Sequence, residues 1–260
     1  MSPVVDIQFN PATTAWPELR ERALAAETAG YGAVWAFDHL AGDSLRGGTM
    51  LEAFTLLGAL AASTATIELG TMVANVHHRT PALLAVAAAS LEAIADRPVH
   101  LGLGAGAAPD SRWSAEMRAI GQPVPATVAE RHARVTSTID VLDRMFDPRR
   151  DESLSTFPLP RRRPSVLLGI NSVALAELAG RRADGVNVAW DHPRRDALLD
   201  AAVAARGSRS GFLLTTWTRW APALLDPEHP TRRAMAHLDR VVLVVPGDID
   251  AAAIATPVAR

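Results

Sequence analysis

The stretch Val34-Trp35-Ala36-Phe37-Asp38-His39-Leu40 reads as a short apolar strand that stops abruptly on a charged pair. Parallel β/α enzymes bind ligands outside the carboxyl ends of their strands, so titratable groups at that point are placed for chemistry. For one Asp-His pair alone the plainer reading holds, in which Asp38 caps the next turn and His39 faces solvent. The neighbouring elements decide between the two.

On both sides of this stretch, β-like runs alternate with helical ones. Val4–Phe9 reads as a strand. Trp16–Ala29 reads as a helix, with Leu19, Ala23, Ala26 and Ala29 at helical spacing and Gly30 to stop it. Ala33–Phe37 is the second strand, Leu51–Ala62 a buried helix and Ile67–Val73 the third strand. Pro81 suits a first helical position, and a helix over Ala82–Ala95 follows it. Val99–Leu103 is the fourth strand. After a long polar connection a helix is expected over Glu130–Phe146. Val166–Ile170, Gly185–Trp190, Phe212–Trp220 and Val241–Val245 are the remaining strands. Helices are expected over Val173–Arg182, Arg194–Ala205 and Thr231–Arg240, with a short closing one over Asp248–Ala255. Pro148–Pro164, rich in Pro and Arg, is expected to be a surface excursion. Strict β/α alternation dictates a parallel sheet. Eight such units in 260 residues favour one closed (β/α)8 TIM barrel, a single domain over residues 1–260.

Composition removes several function classes. A net charge of −2 leaves no electrostatic footprint for nucleic acid. With no cysteine, disulfides, thiolate nucleophiles and cysteine-based metal sites are excluded. All 26 basic residues are arginine, which excludes lysine Schiff-base chemistry and, with the many alanines, indicates a GC-rich genome. The N-terminal residues show no basic segment followed by an apolar run, so no leader and a cytoplasmic location are expected. The longest apolar run, Ala82 to Ala89, is too short to span a bilayer, and no membrane partner is expected.

Gly102-Leu103-Gly104-Ala105-Gly106-Ala107 follows a strand and formally fits the dinucleotide fingerprint. That fingerprint needs a helix to begin at once and hold a pyrophosphate on its N-terminus. Here Pro109-Asp110-Ser111 follows instead, so the glycines are better read as letting the backbone approach a flat ligand at a barrel mouth.

Five stretches in order then carry a resemblance. They are Ala29-Gly30-Tyr31-Gly32-Ala33-Val34-Trp35 leading into Asp38-His39, and Leu69-Gly70-Thr71-Met72-Val73-Ala74-Asn75 followed by Arg79-Thr80-Pro81. Leu101 to Gly106 is the third, and Gly121-Gln122-Pro123-Val124-Pro125 with Glu130-Arg131 the fourth. Pro164 to Ser172, with Ala183-Asp184-Gly185-Val186-Asn187, is the fifth. Together they resemble the bacterial luciferase-like oxidoreductases, which use FMN or the deazaflavin coenzyme F420.

The resemblance implies a tricyclic cofactor lying in the barrel mouth. His39 matches the family histidine after the second strand, and an imidazole titrates near neutrality, so it suits proton transfer or ring positioning. Asp38 is the second catalytic candidate, as an orienter of that ring or as a cap of the loop. Thr71, Met72, Val73 and Asn75 fall where relatives support the cofactor ring, and relatives carry a non-proline cis peptide at Met72-Val73. Gly104 and Gly106 would leave room for the ribityl chain. Gly169, Asn171 and Ser172 open the helix after the fifth strand, where free N–H groups suit a phosphate and equally suit a plain helix cap. His77 and His78 are read as solvent-facing loop residues and no metal site is expected. Arg79 is read as an anion-positioning group or the partner of a surface carboxylate, and Arg131 and Arg134 as members of surface salt bridges.

Two departures from the family stand out. Segment Asp147–Arg163 is abbreviated, and Ala107 and Ala108 stand where some relatives carry a catalytic acid after the fourth-strand glycines; Glu116, on an expected helix, is the nearest carboxylate. The leading expectation is hydride transfer between F420 and a small organic substrate, by a homodimer. The alternatives are a two-component FMN monooxygenase with a flavin reductase partner, a non-catalytic flavin-binding barrel, and a hydrolase built on Asp38, His39 and Asp184.

Overall fold

Side chains alternate faces along a strand, so each strand here serves two surroundings. In the computed structural model, which describes residues 2–247 and 249–258, eight parallel strands close into a barrel in chain order. They are β1 (Val4–Phe9), β2 (Ala33–Ala36), β3 (Glu68–Asn75), β4 (Val99–Gly104), β5 (Ser165–Gly169), β6 (Gly185–Ala189), β7 (Leu213–Arg219) and β8 (Arg240–Val244). The helices are α1 (Trp16–Ala29), α2 (Ala53–Ser63), α3 (Pro81–Ala95), α4 (Ala115–Ala119), α5 (Val128–Phe146), α6 (Val173–Arg182), α7 (Arg195–Arg206), α8 (Pro230–Ala234) and α9 (Ala251–Ile254). The expected (β/α)8 barrel is the observed fold.

In β1, Val5, Ile7 and Phe9 point outward into the main core beneath the helices, while Asp6 and Gln8 point into the barrel. The interior core is small: Ala33, Trp35, Met72, Leu167 and Val242, with Val73 and Leu213 against it. Below it, at the amino ends of the strands, a charged cluster fills the barrel. Asp6 takes the Arg240 guanidinium at 2.8 and 3.0 Å and the Trp35 indole N–H at 3.0 Å. Glu68 completes it, 2.6 Å from Arg240 and 2.9 Å from His100. This cluster plugs the amino end of the barrel, and a cavity opens at the carboxyl end.

Three expectations change. The helix expected over Thr231–Arg240 is only Pro230–Ala234, because the Leu238 N–H turns back to Met235 and Arg240 is drawn into β8 to meet Asp6. The connection after β4 holds the short helix α4, and α5 starts earlier than expected, on a capping box between Thr127 and Glu130. The closing helix is Ala251–Ile254; Asp248, its expected start, lies outside the described residues. Among the described residues no helix is long and apolar enough to cross a membrane.

Candidate active site

A cavity of about 610 Å³ opens at the carboxyl ends of the strands. Met72 and Val73 form its floor, Phe37, Ile170, Leu175 and Val244 line its walls, and Trp113 and Trp217 stand at its sides. The Met72–Val73 peptide is cis, as the resemblance implies. Gln8, pointing inward from β1, donates to the Met72 carbonyl at 2.6 Å. Thr71 lies beneath the floor, buried and donating to the Gly102 carbonyl at 3.0 Å, and does not line the cavity.

The glycines have a more local purpose than the one expected. A Cβ on Gly104 would lie 2.5 Å from Val73 Cγ2, and one on Gly169 would lie 3.0 Å from Val73 Cγ1. A Cβ on Gly106, whose φ is 77°, would meet the His77 ring at 2.8 Å. Gly104 and Gly169 therefore admit the Val73 side chain that makes the floor, and Gly106 admits His77.

His39 lies at the cavity wall with its side chain about one-fifth exposed. Its partner is Glu116 on α4, whose Oε1 is 2.9 Å from His39 Nδ1. The other oxygen of Glu116 accepts the N–H groups of Leu40 and Ala41 at 2.8 and 3.1 Å. Burial would raise the Glu116 carboxyl, but its bonds from His39, His78 and the Leu40 N–H outweigh burial and hold it well below the usual range. An ionised carboxylate only accepts, so His39 carries a proton on Nδ1, and Nε2 is the ring nitrogen left free of Glu116. The Trp113 ring, 5.3 Å from the imidazole between centroids, flanks it.

Asp38 does not orient His39, as one reading expected. Its carboxylate is buried and takes Arg79 at 2.8 and 2.9 Å and the Asn75 N–H at 2.9 Å. Burial would raise its pKa, but His78 and Arg79 beside it leave it below the usual carboxylate range. Arg79 also reaches Glu52 at the surface, so it is consumed by two carboxylates.

His78 is not solvent-facing. Its side chain is buried between Asp38, 3.5 Å from Nδ1, and Glu116, 3.4 Å from Nε2. The Asn75 amide nitrogen also faces Nε2, at 2.9 Å, and favours a bare nitrogen there. Two full negative charges outweigh one amide dipole at these distances. Burial alone would lower the His78 pKa, yet the carboxylates push it up to about 9. His77, half-buried, donates to the Ala105 carbonyl at 3.2 Å, and burial lowers its pKa. Among the described residues Arg134 forms no salt bridge: it donates to the carbonyls of Val76 and Arg79 and ties α5 to the loop after β3. Arg131 donates to the Pro125 carbonyl.

Across the mouth, Ser172 caps α6 by accepting the Leu175 N–H at 3.4 Å, and Asn171 is exposed beside it. Exposed Arg194 donates to the Asn171 carbonyl at 3.5 Å. Asn187 and His192 add polar groups to the wall. Asp184 sits at the opposite end of the barrel, where it accepts the Val166 N–H at 2.9 Å, so it cannot join Asp38 and His39 in a hydrolase site. Glu116, His78, Trp113 and Trp217 are the components that sequence reasoning missed or misplaced.

A family model for luciferase-like monooxygenases matches residues 4–236. An F420-dependent hydroxymycolic acid dehydrogenase of Mycobacterium tuberculosis is 29% identical over 204 residues, covering 75% of this chain and 54% of that protein. An F420-dependent glucose-6-phosphate dehydrogenase of Segniliparus rotundus is 27% identical over 188 residues, covering 68% of this chain and 53% of that protein. The chain thus spans about half the length of these curated relatives. The solved structure of an F420-dependent secondary alcohol dehydrogenase in complex with an F420-acetone adduct shares the fold, with a TM-score of 0.77 at 16% identity over 98% of this chain and 96% of that one. With the barrel, the strand-end histidine and the family model covering nearly its whole length, the chain belongs to the luciferase-like monooxygenase family.

Proposed function

We propose that this chain is an oxidoreductase that moves a hydride between coenzyme F420 and a small organic substrate, with His39 handling the accompanying proton. The observation that carries this is the His39–Glu116 pair at the wall of a mostly apolar cavity. A carboxylate-bound imidazole can take or give a proton through its outer nitrogen. The names of the relatives support F420 over FMN.

The residues present fit such a coenzyme. A flat tricyclic ring needs a concave, mostly apolar slot with few polar atoms, in the range of about 300–1,000 Å³. The floor of Met72 and Val73 exists only because Gly104 and Gly169 carry no Cβ to fill it. Those residues, with Asn75 and Gly106, would hold the ring, and Thr71 would support the floor from beneath. Gly169, Asn171 and Ser172, at the start of α6 with Arg194 beside them, would hold the phosphate end. When bound, the coenzyme supplies a two-electron acceptor or donor. His39 takes or returns the substrate proton at Nε2, and Glu116 keeps that nitrogen facing the substrate. Asp38 is a positioning residue that fixes the loop of Asn75 and Arg79.

A homodimer is part of this reading. Helix α2 carries no charged residue and the single charged residue of α3, Glu92, is buried, while Leu83 and Ile94 are exposed. Light scattering on the eluted protein tests it.

Fluorescence titration with F420 and with FMN tests the cofactor. Saturable binding of F420, with His39→Ala keeping that affinity and losing turnover by about 10²- to 10⁴-fold, is the expected result. Binding of FMN alone, with turnover only beside a flavin reductase, would replace this reading with a monooxygenase. Binding of neither would leave a non-catalytic barrel.

A further inference from the structure

We infer that the cavity takes a neutral, largely apolar alcohol or ketone and turns away phosphorylated and carboxylate substrates. This rests on the coenzyme-dependent reading above and deepens it. The observation is one of charge. All 26 basic side chains of the chain are arginine, and among the described residues no arginine lines the cavity. The lining has three titratable residues, Asp38, His39 and His192, and none of these is a permanent cation.

The His39 end is unfavourable to an anion. Glu116 holds the imidazole, and the carboxylate residue Asp38 itself lines the cavity. The cations near them are already engaged: Arg79 by Asp38 and Glu52, and His78 by Asp38 and Glu116. Arg112 lies over the Trp113 ring, 4.2 Å from its centroid, but is exposed and does not line the cavity. Arg194 is also outside the lining and stands beside α6, after β5, which is three strands round the barrel from β2 and His39. An anion reaching His39 would thus be desolvated with no partner, which costs far more than desolvating a hydroxyl or a carbonyl.

The apolar lining selects in the same direction. Phe37, Leu45, Ile170 and Leu175 present hydrocarbon, and Trp217 on β7 is 40% exposed although it is a large apolar ring. A sugar ring would have to set hydroxyls against this hydrocarbon without partners. An alcohol with one hydroxyl leaves none, since that group meets His39. In the oxidation direction two substrate bonds break. The carbinol C–H gives its hydrogen and electron pair to the oxidised coenzyme, and the O–H proton passes to His39 Nε2. The alcohol becomes a ketone and the coenzyme is reduced by two electrons.

The test uses the purified full chain and two readouts. In the first, cyclohexanol, glucose 6-phosphate and lactate are compared as reductants of bound F420. The expected kcat/KM is at least about 100-fold higher for cyclohexanol, because a site that strands a charge rejects it strongly. In the second, intrinsic tryptophan fluorescence is titrated with cyclohexanone and with glucose 6-phosphate, with and without coenzyme, since Trp113 and Trp217 line the cavity. Saturable quenching by the ketone only is expected. Comparable turnover or quenching by glucose 6-phosphate or lactate overturns the inference, and so does the absence of any effect of either neutral probe. Failure to bind F420 would instead overturn the coenzyme reading, while the coenzyme-free titration still judges the cavity.

Discussion

Glu116 Oε1 meets His39 Nδ1 at 2.9 Å across 77 residues of sequence. The contact decides which ring nitrogen faces the cavity. Glu116→Gln keeps the shape and removes the charge. An amide NH₂ turned towards Nδ1 would favour the tautomer with its proton on Nε2, the nitrogen that must be bare. The expected result is a fall in kcat of about 10²-fold, at the lower end of what acid–base catalysis contributes, with F420 affinity unchanged. A kcat–pH profile that matches the wild type would remove Glu116 from this role.

The architecture was legible because its signals are local. The abrupt end of β2 on Asp38-His39, Gly30 after α1 and Pro81 before α3 each act within a few residues. The site was legible only in part because its contacts are not local. Glu116 was noticed as the nearest carboxylate, but nothing in the spacing tells that α4 folds back onto the loop after β2. His78 was misread because a histidine in a loop has no periodicity to reveal burial. Asp38 was paired with the wrong neighbour because adjacency in sequence does not predict which way two side chains leave a strand end. Arg240 ended the α8 expectation because its attraction to Asp6 on the neighbouring strand β1 outweighs helix propensity.

Gly104 is a sensitive position in the floor. In Gly104→Ala the new methyl would lie 2.5 Å from Val73 Cγ2. The backbone has little freedom to retreat, since Gly104 is paired with Asn75 on β3. Overpacking of this kind costs about 1–3 kcal/mol. Chemical denaturation should show that loss, and the displaced Val73 should weaken F420 binding in the same variant. Wild-type values in both measurements would show that the floor yields freely.

The plug at the amino end of the barrel depends on charge balance. Asp6 is fully buried and takes two nitrogens of Arg240. Asp6→Asn leaves the guanidinium with Glu68 alone, and breaking a buried pair costs about 3–5 kcal/mol. The double variant Asp6→Leu with Arg240→Met removes both charges and should be closer to wild type in stability than the single one. A double variant less stable than Asp6→Asn in denaturant melts would show that charge balance is not what the plug depends on.

His78 gives stability a pH dependence whose sign is fixed by the direction of its shift. Its pKa rises from 6.5 to about 9 on folding, because the carboxylates of Asp38 and Glu116 overcome the effect of burial. A raised folded value means that the folded state holds the proton more tightly. The contribution is therefore complete below pH 6.5 and is lost as pH rises through about 9. At about 1.4 kcal/mol for each pKa unit, the shift corresponds to about 3 kcal/mol, and the ring is too buried for solvent to screen much of it. The same contacts, seen from Asp38 and Glu116, fade only when pH falls below the usual carboxylate range, since both are lowered. Melting temperature followed from pH 6.5 to about 9 should drop for the wild type by several degrees more than for His78→Gln. Parallel curves for the two proteins would mean that His78 enters the fold uncharged, with Nε2 accepting from Asn75 and the carboxylates balanced by Arg79 alone.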